Sequence, residues 1–394
     1  MNVPVFINID LESQAEELRG YFKELGAEIS AERSPKGIED DLHKIIGVCD
    51  VAIHKPDAVP AEVEEVLNGI VSMFSWVTKE DKSGNLILAL CEKLFKAPNH
   101  EIGLTCLKVM WSLYQSLPEV SPMRFQVYFY LVQLAGRTNQ VDLVFKDVDS
   151  FKSQFLTSPP SNEQMQKLLR TLHSVLLNAK KSEPASEVMI MLLGTYTTEN
   201  ASQAREEAQR CIIASLADPD TFLLDHLLQL KPVKFLEGEL IHDLLKIFVF
   251  EKLEGYQKFY DNHKEFVTGL GLKHEDNMTK MKLLTFMQLA ETRSQVSFGE
   301  IQKHLQLADG EVEDFLVDLL KTKLVRAKLD QANKVVHVSS TMHRTFTKQH
   351  WNHLHQLLTN WKTQLTVSRE HIGQLAVAQV ELMRQNQRAT KAQI

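Results

Sequence analysis

Three histidines close to the end of the chain, His350, His353 and His355, are of the type and spacing that invite a metal reading. Imidazoles three apart share a helical face, and two of them with a carboxylate make a common zinc donor set. No acidic residue stands beside them, however, and His355 diverges from His353 by about 200° at the helical turn of roughly 100° per residue. The triplet reads as polar helix surface, and no metal site is expected. His242-Asp243 offers a base beside a carboxylate, the pairing used in general base catalysis. Adjacent helical residues do not face each other, so a structural histidine is expected. Glu206-Glu207 and the run Glu311, Glu313, Asp314 and Asp318 read as solvated faces. Cys49, Cys91, Cys106 and Cys211 have no paired spacing and sit among apolar neighbours. They are expected as small core residues, with neither zinc nor disulfide. Phosphate-binding glycine loops, the nucleophile elbow and H-E-x-x-H are all missing from the sequence. An enzyme is not expected, and neither catalytic residues nor a cofactor are assigned.

The elements that carry these side chains are helical for most of the chain. Asp10 can cap a first helix whose apolar positions are Leu11, Ala15, Leu18, Phe22 and Leu25, and Gly26 stops it. Ser30 to Asp40 reads as an exposed loop, followed by an amphipathic segment from Ile38 to Val51. Beyond Pro60 the periodicity predicts helices at 61–76, 85–96, 101–117, 122–136, 139–156, 161–179, 184–196, 200–217, 219–230, 236–249 and 251–268. Pro122 after Ser121, Ser161 with Gln164, and Asn200 supply start signals. Short joints make such helices antiparallel neighbours, and pairs recurring at roughly 35 to 40 residues predict a degenerate helical-repeat stack.

The pattern changes after Gly271. A helix at 277–292 is followed by a short extended piece, 296–298, a helix at 298–305 and a third, capped by Asp309, at 310–321. Alternating residues then predict a hairpin of 324–329 and 334–339, with Val336 and Val338 on one face. That order is a winged helix. A final helix carries Trp351, Leu354, Leu358, Trp361, Leu365, Ile372, Leu375 and Leu382 at alternating steps of three and four, interrupted at Ser368 and Gln379 by polar residues. Such a heptad seam, on a helix expected to run roughly 50 Å, requires helical partners. The expected class is all-α with a small winged-helix (α+β) module. Its divisions are 1–54, 61–270, 271–340 and 345–390.

At 394 residues with 44% hydrophobic content, the chain can bury more than one core. Its formal net charge of −7 gives no general attraction to nucleic acid or anionic lipid. Four carboxylates on the third helix of the winged module would repel a phosphate backbone, although Arg326, Lys328 and Lys334 on the hairpin leave a local RNA contact open. No signal peptide or bilayer-spanning run is read, so a cytoplasmic or nuclear protein is expected. Protein binding remains, through the sheet edge and the last helix.

Helical repeats running into a winged helix and then a bundle helix resemble the PCI-domain family, found in the proteasome lid, the COP-nine signalosome and eukaryotic translation initiation factor 3. Particular stretches bring the chain closest to the initiation factor: Pro4-Val5-Phe6-Ile7, Asn200-Ala201-Ser202-Gln203-Ala204-Arg205, Phe222-Leu223-Leu224-Asp225-His226-Leu227-Leu228, Lys231-Pro232-Val233-Lys234 and His343-Arg344-Thr345-Phe346. The resemblance implies that the helical part of the PCI domain begins at about 185. It also implies a non-catalytic scaffold role in that factor, supporting assembly of the 43S pre-initiation complex and recruitment of mRNA to the 40S ribosome. Other PCI and MPN subunits would be the partners, joined through winged-helix edges and gathered C-terminal helices. A signalosome or lid subunit, or a winged-helix protein that binds nucleic acid, stays open as an alternative.

Overall fold

The computed structural model describes residues 11–77, 80–308 and 310–392; for Leu11, Trp76, residues 80–82, Thr292 and residues 380–392 it describes the backbone alone. The expected caps Asp10 and Asp309 and the stretch Pro4-Val5-Phe6-Ile7 lie outside the described residues. The architecture is helical with one small antiparallel sheet towards the C-terminus, and it divides into two compact units, residues 1–215 with 227–239 and residues 216–226 with 240–394.

In the first unit, helix Leu11–Glu24 ends where Gly26 takes φ +87°, a conformation glycine enters without a Cβ penalty. Helices Ile38–Val48, Pro60–Met73, Glu80–Phe95, His100–Ser116, Met123–Arg137, Asn162–Asn178 and Ser182–Gly194 follow. Pro60–Met73 packs on His100–Ser116, Glu80–Phe95 on Met123–Arg137, and Met123–Arg137 in turn on Asn162–Asn178. Helices thus meet their sequence neighbours and the helix beyond, which is how a repeat stack builds one continuous core. All four cysteines are buried thiols within it, and burial pushes Cys49, Cys91, Cys106 and Cys211 up to about 12.

Ser161 and Gln164 form a reciprocal capping box at the start of Asn162–Asn178. Several expectations need correction. The segment 139–156 is two short helices, Val141–Val144 and Val148–Gln154. Phe145 turns extended and Asp147 accepts the Ser150 N–H at 2.6 Å, starting the second helix afresh. Asn200 does not cap the next helix: its Oδ1 accepts from the Thr197 N–H at 2.7 Å, and the segment opens as a 3-10 turn, Ala201–Ala204, before Arg205–Ala217. Lys231-Pro232-Val233-Lys234, left between the expected helices 219–230 and 236–249, is the body of a short helix, Lys231–Phe235, with proline in its first turn. The loop before Ile38–Val48 is not wholly exposed. Ser34 is buried there, its N–H donating at 2.9 Å to Asp41 in the first turn of Ile38–Val48. Asp41 also accepts from Arg19 at 2.9 Å, so a buried ion pair joins that helix to the first and holds the loop between them.

The second unit opens with a further correction. Residues 219–230 form no α-helix, because Asp218 accepts from the Asp220 N–H and the Thr221 hydroxyl in an Asx-type turn around Pro219. A 3-10 turn, Asp225–Gln229, straddles the division between the units. Leu240–Phe250 follows, and 251–268 is broken at His263 into Leu253–Asn262 and Lys264–Gly269. Helix His274–Thr292 is covered nearly all round: Met281, Leu283, Leu284, Phe286, Met287 and Ala290 are buried, and so is Thr285, whose hydroxyl accepts from the Leu253 N–H. Then come β1 (Gln295–Ser297), helix Phe298–Leu305, helix Glu311–Lys321, β2 (Val325–Asp330) and β3 (Val335–Thr341). The sheet order is β1-β3-β2, antiparallel, with a bulge between Arg326 and Ala327. This is the winged-helix order. The terminal helix, Lys348–Ala392, has 45 residues and therefore runs roughly 67 Å, longer than expected.

Candidate functional site

The winged helix is set up by local signals. Ser297 and Glu300 make a capping box at the start of Phe298–Leu305, and Arg293 pairs with Glu300 at 2.5 Å. The Ser297 N–H and the Arg293 guanidinium together hold the Glu300 carboxyl below its usual range. Val312, Leu316 and Leu319 are buried beneath the third helix, while Glu311, Glu313, Asp314 and Asp318 are all exposed. The face that other winged helices lay in a groove is therefore anionic at the surface, as the sequence indicates.

Val336 and Val338 sit in β3, the central strand, and Val336 is only 1% exposed. It faces Val296 on one side and Leu329 on the other. Both its neighbours are strands of this chain, so an added strand would pair with an outer strand, β1 or β2, and not with these valines. What Val336 and Val338 do is hold the sheet together from its centre. Arg326, Lys328 and Lys334 are exposed on the hairpin.

Between the hairpin and the terminal helix lies a short joint. Arg344 is buried and donates to the carbonyls of Ile247, Phe248 and Glu251 at 2.5 to 3.0 Å, which ends helix Leu240–Phe250 on a cation. Burial lowers its pKa to about 10. The sequence contains Arg344 among its resembling stretches but gives no sign that it is an anchor. Lys280 is likewise buried and donates to the carbonyls of Leu216 and Asp218; burial brings it down to about 8. Phe346 then packs edge-on against Trp351 with ring centroids 4.9 Å apart.

The terminal helix carries the largest exposed apolar stripe. Trp351 is 62%, Trp361 60% and Leu365 71% exposed, and Leu354, Leu358, Ile372 and Leu375 are exposed as well. Every residue from Trp351 to Gln379 is exposed, so this unit covers neither face of that stretch. Leu382 lies on the helix, but its side chain is outside the described residues. Sequence reasoning missed Leu357, also exposed, which flanks the seam one position short of Leu358; Val367 and Val377 are exposed away from it. Isolated apolar residues at a surface are ordinary, but a row of this length marks a surface made to be covered.

His242 is buried and Asp243 exposed, so the two do not work as a base with its orienting carboxylate. Glu206 pairs with Arg210 and Glu207 with Arg170, as solvated surface acids do. Among the described residues, no helix is long and apolar enough to cross a membrane.

A PCI domain model matches residues 259–340, which covers the winged helix, the short helix Lys264–Gly269 and the end of Leu253–Asn262. Across nearly the whole length the chain is similar to proteins named eukaryotic translation initiation factor 3 subunit M. The protein of Drosophila willistoni is 56% identical over 381 residues, covering 97% of each chain. That of Culex quinquefasciatus is 55% identical over 381 residues, covering 96% of this chain and 98% of its own. That of Anopheles gambiae is 55% identical over 378 residues, with the same coverage. With its helical repeats, winged helix and long terminal helix, the chain belongs to the family of eukaryotic translation initiation factor 3 subunit M.

Proposed function

We propose that this protein works as a non-catalytic scaffold subunit of eukaryotic translation initiation factor 3, supporting 43S pre-initiation complex assembly and mRNA recruitment to the 40S ribosome in the cytoplasm. The observation that carries the scaffold reading is the uncovered seam of the terminal helix. Trp351, Leu354, Leu358, Trp361 and Leu365 follow the 3.5-residue repeat that packs knobs into the holes of neighbouring helices. The seam continues through Ile372, Leu375 and Leu382. The partners are other PCI and MPN subunits of the factor: their helices take the seam, and a strand from a neighbour extends β2, which has no strand on its outer side. Contact with the 40S ribosome runs through them. The working divisions are an N-terminal segment (1–54), a repeat region (61–270), the winged helix (271–340) and an assembly helix (345–390).

The test is to purify the tagged chain from cells and identify its stable partners by mass spectrometry. Initiation-factor subunits are expected; signalosome or lid subunits in their place would overturn the reading. Replacing Leu354, Leu358 and Trp361 together with polar residues should detach the chain from those subunits while leaving its own thermal transition unchanged. A lowered transition would mean that the seam packs within the chain.

A further inference from the structure

The carboxylate missing from the neighbourhood of His350 in the sequence arrives through the fold. Glu291, at the end of helix His274–Thr292, places Oε1 2.6 Å from His343 Nδ1 and 2.9 Å from His350 Nε2. The two imidazoles stack with centroids 4.3 Å apart, and the three donor atoms all lie within 4.8 Å of one another. Three segments converge here: the helix end, the joint after the hairpin and the first turn of the terminal helix. We propose that Glu291, His343 and His350 form a zinc site.

Two imidazoles and a carboxylate are a donor set that zinc takes, leaving a fourth position for water. At zinc–ligand lengths of about 2.0–2.2 Å, tetrahedral donors stand about 3.4 Å apart, so the carboxylate needs to withdraw by less than about 1 Å. The two ligating nitrogens, within 4.8 Å of each other, need to settle to the same spacing. Both ligating nitrogens must be free of hydrogen. Each neutral ring meets this by carrying its proton on the opposite nitrogen, and a protonated ring releases one proton to solvent. For His350 the opposite nitrogen is Nδ1, which lies 3.1 Å from the Thr347 hydroxyl; that oxygen can accept the relocated proton. The Thr347 N–H, which donates to Nδ1 in the metal-free arrangement, gives up that bond as the ring shifts onto the metal and is hydrated at this exposed position. Phe346 packs against both imidazoles, at 6.0 and 5.7 Å, and gives the site an apolar flank. Bound zinc would staple the first turn of the terminal helix to the winged helix and fix the direction in which the seam leaves; that consequence, unlike the site, rests on the scaffold reading.

The experiment uses the full chain, freed of metal with a chelator and titrated with zinc chloride, with magnesium as the control. One zinc per chain is expected, with a rise in melting temperature that magnesium does not produce. Cobalt in its place should give the visible absorption of a tetrahedral ion. His343→Ala, His350→Ala and Glu291→Gln should each weaken binding by at least about tenfold, and Thr347→Val by about tenfold through the lost proton acceptor. Circular dichroism checks that each variant is folded. His353→Ala should leave affinity unchanged, and binding should weaken at acid pH because protons compete with zinc for the ligating atoms. The proposal is overturned by an absence of saturable binding, by equal binding in all ligand variants, or by binding that is lost in His353→Ala and kept in His343→Ala.

Discussion

Helix Asn162–Asn178 and the terminal helix present the same sequence pattern and opposite fates. In the first, Leu168, Leu169, Leu172 and Leu176 recur at helical spacing and are fully buried against Met123–Arg137 and Ser182–Gly194. In the second, an equally regular stripe stands in solvent. Periodicity therefore says that a face must be covered, but not whether the covering comes from the same chain. The distinction lies in the joints. Short connections return the first helix to its neighbours, whereas the second runs on from the winged helix with every residue from Trp351 to Gln379 exposed.

Truncating the two stripes should break this symmetry most sharply. Leu172→Ala should cost about 2–5 kcal/mol, seen as a lower denaturation midpoint, because it leaves a cavity in a packed core. Leu358→Ala should change the stability of the isolated chain by less than about 0.5 kcal/mol, as an exposed substitution does. Equal effects would mean that the two helices are covered alike.

A buried charge sharpens the contrast from the covered side. Lys280 titrates at about 8 in the folded chain against an ordinary 10.5. Between those values the unfolded chain holds a proton that the folded chain has lost, so this lysine makes stability rise with pH, by roughly 2–3 kcal/mol in full. The four buried thiols act in the opposite sense above pH 9. The readout is accordingly the difference between the wild type and Lys280→Met across pH 7 to 10, and a flat difference would refute the assignment. On the covered side, the smallest loss belongs to the start of the covered helix. Ser161→Ala should cost about 1 kcal/mol by removing one side of the capping box, measured by chemical denaturation.

The winged helix was legible in the sequence because its parts are short and each carries its own signal: Ser297 with Glu300, the stripe Val312, Leu316 and Leu319, and the alternation into Val336. The seam was legible for the same reason. Failures fall where an apolar run is helical in period but interrupted by a side chain that bonds its own backbone, as at Asp147, Asn200 and Asp218. Long-range pairings were not legible at all. Nothing local announces that Glu291 meets His343 and His350, that Arg344 closes helix Leu240–Phe250, or that Arg19 and Asp41 are buried together.

The naked stripe has a consequence for supply. A copy of the chain without its partner helices displays Trp351, Trp361 and a ladder of leucines to every chaperone and protease that reads exposed apolar surface. Surplus copies should be short-lived for that reason, even though their repeat core is well packed. If the stripe joins the chain to its assembly as proposed, the same surface marks a surplus copy for removal, and the abundance of the chain is expected to follow that of its partners.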